Sequence, residues 1–175
     1  MVITPIVNDG RINRSKTTLN KIVAATISLL RKNNNGQIPT AQEIAVKSGV
    51  GIRTVFRHID DMEGLIEEVN RRYLNDLESY IAKNNPKQSS KDQRIEHVIK
   101  ERFYLYNTYQ HVFNLTITSL NNSNAIRTGF IKFNHILRQR FEDLIPEIKM
   151  INKDKQNLIA VSYTHLRAHE TNSHL

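Results

Sequence analysis

Residues 40–59 read TAQEIAVKSGVGIRTVFRHI. Thr40 follows a proline and stands three positions before Glu43, the spacing of a capping box that starts a helix. Ile44 and Ala45 fall on one face of that helix, and Ser48-Gly49 ends it. A second short helix is predicted over Gly51 to His58. A helix-turn-helix needs a small residue where its two helices cross, and Ala45 meets that need. Four positions on, the turn needs a residue tolerant of positive φ, and Gly49 meets it. The inner face of the second helix needs apolar anchors, here Val50, Ile52, Val55 and Ile59. Gly51, Arg53, Thr54 and Arg57 are then left for the outer face, which in such motifs enters the major groove of DNA. The competing reading is an ordinary helical hairpin inside a bundle.

Charge argues for the first reading. The 175 residues carry a net charge of +8. Nine of the Lys and Arg residues and two acids, Asp9 and Glu43, lie between Met1 and Ile59, so 9 − 2 = +7. The remaining 16 basic and 15 acidic residues leave +1 for everything that follows. A basic lobe on a near-neutral body suits a polyanion, because each neutralised phosphate releases counterions. There is no cysteine, which excludes disulfides and thiolate metal sites. No apolar run approaches the roughly 18 residues of a membrane span, and the N-terminus lacks a signal-peptide pattern. These features predict a cytoplasmic protein.

Outward from the motif, the apolar spacing is helical throughout, and no period-two run marks a strand. Residues 1–14 are predicted to be a flexible arm. Leu19, Ile22, Val23, Ile27 and Leu30 make the stripe of a first helix, which Asn33-Asn34-Asn35-Gly36 stops. After Asp60-Asp61, a long helix carries Leu65, Ile66, Val69, Tyr73, Leu77 and Ile81. Lys87 to Lys91 is predicted to be a polar loop. Ile95, Val98, Ile99, Phe103 and Tyr106 make the stripe of one helical piece, His111 to Leu120 is predicted as a second, Ile126 to Leu144 as another, and Asp154 to Ala160 as the start of one more. The predicted fold is all-α, with a three-helix helix-turn-helix domain and arm at 1–62 and a larger helical ligand-binding and dimerisation domain at 63–160.

Ala24-Ala25 followed by TAQEIAVKSGVGIRTVFRHIDDMEGL resembles the DNA-binding domain of TetR/AcrR-type transcriptional regulators, over Arg14 to about Leu65. Beyond that only the sizes and order of the helices are similar. The resemblance implies an all-α homodimer that binds a palindromic operator in double-stranded DNA. It also implies a C-terminal domain that dimerises and holds a small-molecule inducer. Carried over by position, Thr40 would contact phosphate, and Ile52, Arg53 and Thr54 would lie near the groove. Phe56 stands where the family usually has tyrosine, His58 at its common histidine, and Ile59 at a usual phenylalanine. Met62 stands where a phosphate-binding lysine is common, so two backbone contacts differ and Arg53 and Arg57 are expected to shift the contact set.

Among these residues Arg53 is the expected base reader, since a guanidinium fork matches guanine O6 and N7. A phosphate contact is its alternative. Arg11, Arg14 and Lys16 are expected to reach phosphates or a minor groove from the arm. His58 fits either packing at the turn or a DNA contact.

The second half is rich in aromatic residues. Phe103, Phe130 and Phe133 are expected in the core, whereas Tyr106, Tyr109, His111, Arg127 and His135 are candidates for a ligand pocket. No Gly-rich phosphate loop or nucleophile–base–acid grouping is present, so no enzymatic activity, cofactor or metal is expected. His165 and His169 have the i, i+4 spacing of metal ligands. The stretch VSYTHLRAHET resembles a translated adapter, however, and residues 161–175 are expected to be a non-native tail on a chain cut short within its eighth helix. Dimerisation is accordingly expected of the complete protein rather than of this chain. The predicted function is a repressor released by a small-molecule ligand. Its alternative is a ligand-independent DNA-binding or nucleoid-associated helical protein.

Overall fold

The computed structural model describes residues 10–59, 61–86 and 90–150. They form α1 (Gly10–Asn33), α2 (Ala41–Ser48), α3 (Ile52–His58), α4 (Met62–Lys83), α5 (Lys91–Ser119) and α6 (Asn124–Leu144), then a 3-10 turn at Pro146–Met150. No strand occurs among the described residues, and the chain is all-α as its periodicity predicts. No helix among them is long and apolar enough to cross a membrane. The expected helix at 154–160, the tail at 161–175 and the His165/His169 pair lie outside the described residues.

The first correction concerns the arm. Residues 10–14 are already helical, so Arg14 and Lys16 stand on the first turns of α1 rather than on a flexible segment. In the next turn the Thr17 and Thr18 hydroxyls donate back to the carbonyls of Asn13 and Arg14 at 2.8 and 2.9 Å. Further along, Ile22, Val23, Ala25, Thr26 and Leu30 are buried on one side of α1. Thr26 is fully buried, and its hydroxyl is satisfied by the Ile22 carbonyl at 2.9 Å. Asn34 ends the helix in the left-handed region at φ 43, followed by Gly36 at φ 72.

Helices α1, α2 and α3 pack on one another, and α1 packs on α4. Their buried side chains, Ile22, Ile44, Val55 and Ile59 among them, join those of α4 to α6 in one cluster. Leu65, Ile66, Val69, Tyr73 and Leu77 run along α4 through that cluster, so the core does not break at residue 62. Asp61 caps α4 by accepting the Gly64 N–H at 2.7 Å. At the far end, Val98, Leu144, Ile145 and Ile148 form a second, smaller cluster.

In α5 the sequence pattern misleads. Ser90 and Gln93 form a capping box, so the helix begins inside the stretch predicted as a polar loop and runs for 29 residues. The two predicted pieces meet at a kink at Tyr109, whose φ −109 and ψ 18 are not helical, in the gap left between them by the sequence reading. The buried face carries Val98, Glu101, Leu105 and Tyr109. Phe103, expected in the core, is 70% exposed, and Ile99 of the same predicted stripe is 57% exposed. The reason is a buried polar contact. Glu101 takes an inward position opposite Arg140 of α6, which turns the apolar stripe four residues apart outward.

One set of contacts joins α4 to α6 within the body (α4–α6), and another ties the head (α1–α3) to that body. The Glu63 carboxylate accepts the Ala125 N–H at 2.9 Å, and Asn70 donates to the Ala125 carbonyl at 2.8 Å. A Cβ on Gly129 would run into that Asn70 amide, so α4 and α6 meet closely there. On the other side, Asn114 donates to the Asn34 carbonyl and side-chain oxygen at 3.0 Å each, and the Thr118 hydroxyl donates to the Gly36 carbonyl. The second half of α5 therefore holds the turn between α1 and α2.

Candidate nucleic-acid interface

The capping box at Thr40 forms as its sequence predicts. The Thr40 N–H donates to Glu43 Oε2 at 2.8 Å, and the Glu43 N–H donates to Thr40 Oγ1 at 3.3 Å. The Thr40 hydroxyl also donates to the same carboxylate at 2.8 Å. Those hydrogen bonds from Thr40 hold the Glu43 carboxyl below its usual range. The single hydroxyl hydrogen of Thr40 is thus used inside the cap. A phosphate at this helix start would meet backbone N–H groups of the first turn instead.

Gly49 closes α2 at φ 67, its N–H bonding to the Ala45 carbonyl. Nothing lies within 4 Å of where its Cβ would be, so the turn needs glycine for its backbone conformation and not for space. The chain then starts α3 from Gly51, whose carbonyl accepts from Thr54 and Val55 at 2.8 and 3.1 Å.

Seven residues of α3 bury one narrow face. Val55 is fully buried, Ile59 just beyond the helix is 4% exposed, and Thr54 and His58 are half-buried beside them. Gly51, Arg53 and Arg57 are exposed. Ile52 is corrected from inner anchor to surface, at 38% exposure, and Phe56 is 58% exposed. The outward face therefore pairs two arginines four residues apart with two apolar side chains four residues apart. Sequence reasoning placed Ile52 on both faces. A helical wheel resolves it, because Val55 and Ile59 already fill the one face that so short a helix can bury.

Around α3 the head keeps its excess charge. Lys16, Lys47, Arg53 and Arg57 take part in none of the ion pairs formed among the described residues, which all lie from Glu68 onward. Arg14 and Lys16 are exposed on α1. Met62 is half-buried and packs against the main core, so it is an apolar contact at the position where the resembled pattern has lysine.

The body brings together some of the expected pocket residues. Tyr109, Tyr73, Asn70, Phe113, Phe130 and Phe133 are among the residues lining a small cavity of about 30 Å³ between α4, α5 and α6. Tyr106 stacks on Phe113 with centroids 5.7 Å apart, one layer behind it. His111 is buried and bonded to Tyr73 at 2.7 Å rather than lining the cavity. Arg127 is exposed and reaches the Leu120 and Asn121 carbonyls, where it covers the end of α5. His135 is exposed on α6 and does not line the cavity. Tyr73 and Asn70 were missed because they read as part of an ordinary α4 helix. Among the described residues, no group of His, Asp and Glu is placed to hold a metal ion.

No protein-family model matches the sequence, and no curated protein is significantly similar to it.

Proposed function

We propose that this chain is a sequence-specific, DNA-binding transcriptional regulator of the TetR type, a cytoplasmic repressor released by a small-molecule ligand. One observation carries the reading. Arg53 and Arg57 stand exposed with Ile52 and Phe56 on the outer face of a short helix, in a lobe of +7 net charge. Guanidinium forks suit guanine edges or phosphates, and apolar side chains suit thymine methyl groups. Two such heads in a homodimer would read half-sites of a palindrome about 34 Å apart.

Release follows from the contacts between head and body. A ligand entering at Tyr109 would straighten or bend α5 at its break. Asn114 and Thr118 would carry that movement to the α1–α2 turn. Ligand binding then favours one head orientation over another, which is a population shift.

The ligand-independent alternative is favoured by one observation. The cavity at Tyr109 holds about 30 Å³, whereas ligand pockets run to about 300 Å³ and more. A ligand would have to open the aromatic cluster, at a cost in binding energy.

Fluorescence anisotropy on labelled duplexes tests the shared part of both readings. Binding should weaken steeply between about 50 and 200 mM salt, in proportion to the phosphates neutralised. Binding that is absent at low salt would overturn both. Addition of small apolar and polar metabolites to the complex then separates them, since only the first reading expects dissociation.

A further inference from the structure

A second cleft, of about 360 Å³, opens between α1 and α4 on the side of the head–body junction. Ala24, Ile27, Ser28 and Arg31 of α1 and Arg72 and Asp76 of α4 line it. Its chemistry differs from that of the aromatic cavity. Two arginines border one space, and neither is in an ion pair among the described residues, although the Arg31 guanidinium also lies close enough to the Tyr73 hydroxyl to act on it. Arg72 is steadied by donating to Asn20 Oδ1 at 3.0 Å, which uses one of its N–H groups and leaves the rest of the fork. Asp76, likewise in no ion pair among these residues, supplies an acceptor, and Ser28 a hydroxyl. Ala24 is a small residue at the opening, where a longer side chain would fill the space.

We propose that this cleft binds a small hydroxylated anion, its phosphate or carboxylate group on Arg31 and Arg72 and its hydroxyl on Asp76. Planar guanidiniums recognise both anions in a bidentate manner and hold them more firmly than a lysine would. Asp76 disfavours a second negative group in the same cleft and favours a hydrogen-bond donor there. Its ligand would join α1, which belongs to the head, to α4, the first helix of the body. The site stands on its own residues and does not depend on the DNA-binding reading.

The test contains no DNA. Thermal unfolding of the full chain is followed with glycerol 3-phosphate and, separately, with glycerate, each against sodium chloride at matched ionic strength. Wild-type protein, Arg31→Gln, Arg72→Gln and Ala24→Leu are compared, with circular dichroism to show that each is helical. Ala24→Leu keeps the charge and a strong helix former, so it blocks by volume alone. The expected result is a Tm that rises with the logarithm of probe concentration in the wild type and not in the variants. A rise with the phosphate probe alone, or the carboxylate alone, identifies the anion. No rise with either probe, or the same rise in wild type and variants, overturns the proposal, the latter because anions then act on the overall positive charge.

Discussion

The Tyr73 hydroxyl lies 2.7 Å from Nε2 of His111, inside the core that joins the head to the body. With the phenol protonated and the imidazole neutral, one hydrogen lies between them. Burial raises the Tyr73 pKa and lowers that of His111 to about 4, with the Arg31 charge adding to the second shift. Both groups are therefore held in their neutral forms, and the contact joins α4 to α5 two residues past the Tyr109 break.

Stability should depend on pH through His111. Its ordinary pKa of 6.5 applies to the unfolded chain, and about 4 to the folded one. The unfolded state binds the extra proton between these values, so stability is full above pH 6.5 and falls as the pH drops towards 4. The loss should be on the order of 1–3 kcal/mol. Urea unfolding across that range measures it, and His111→Gln should remove this contribution to the slope.

Arg140 and Glu101 form the most buried ion pair among the described residues, with side chains 7% and 1% exposed at 3.3 Å. Arg140 also donates to the Asn84 carbonyl at 2.7 Å and to Asn85 Oδ1 at 3.1 Å, and His97 lies 3.4 Å from Glu101. Arg140→Met should cost about 3–5 kcal/mol, because it leaves a buried carboxylate without its cation. Adding Glu101→Leu should recover much of that loss. Strictly additive effects would mean that the two groups do not interact.

Two glycines of the head should respond differently to alanine. Gly49→Ala adds only left-handed strain, about 1–2 kcal/mol, since its Cβ meets nothing. Gly36→Ala carries the same strain and also drives a Cβ to 2.7 Å from the Asn114 carbonyl oxygen and 2.8 Å from a Thr118 carbon. It should cost about 1–3 kcal/mol more through overpacking. Chemical denaturation of both variants decides this. Equal losses would mean that the turn is not held against α5.

Arg53→Ala should relax DNA specificity at one base pair by about 1–3 kcal/mol while leaving the others in place. Competition anisotropy with point-substituted duplexes reads it. A uniform loss across all sequences would make Arg53 a phosphate contact.

Much of this architecture was legible because local chemistry and long-range packing agree. Thr40 and Glu43, Gly49, and the spacing of Leu65 to Leu77 each specify the same structure at short and long range. The failures come where they disagree. Ile95, Ile99 and Phe103 have ideal helical spacing, yet the burial of Glu101 against Arg140 rotates them outward, and no local pattern reveals a partner 39 residues away. Gly10 to Arg14 belongs to α1 without an apolar period of its own, so no periodic signal marks the helix start. His111 was visible as a polar residue among aromatics, whereas its partner Tyr73 lies 38 residues earlier in a different helix.

The outward face of α3 carries the proposed DNA contact. The decisive measurement is selection of bound sequences from random duplex DNA at moderate salt, with the wild-type chain and an Arg53→Ala/Arg57→Ala variant side by side. The predicted result is an enriched motif with the wild type, with half-site symmetry if two chains bind together, and its loss with the variant. No enrichment over the variant, or no DNA retained by either, would contradict the central claim and return residues 40–59 to a helical hairpin within a basic bundle.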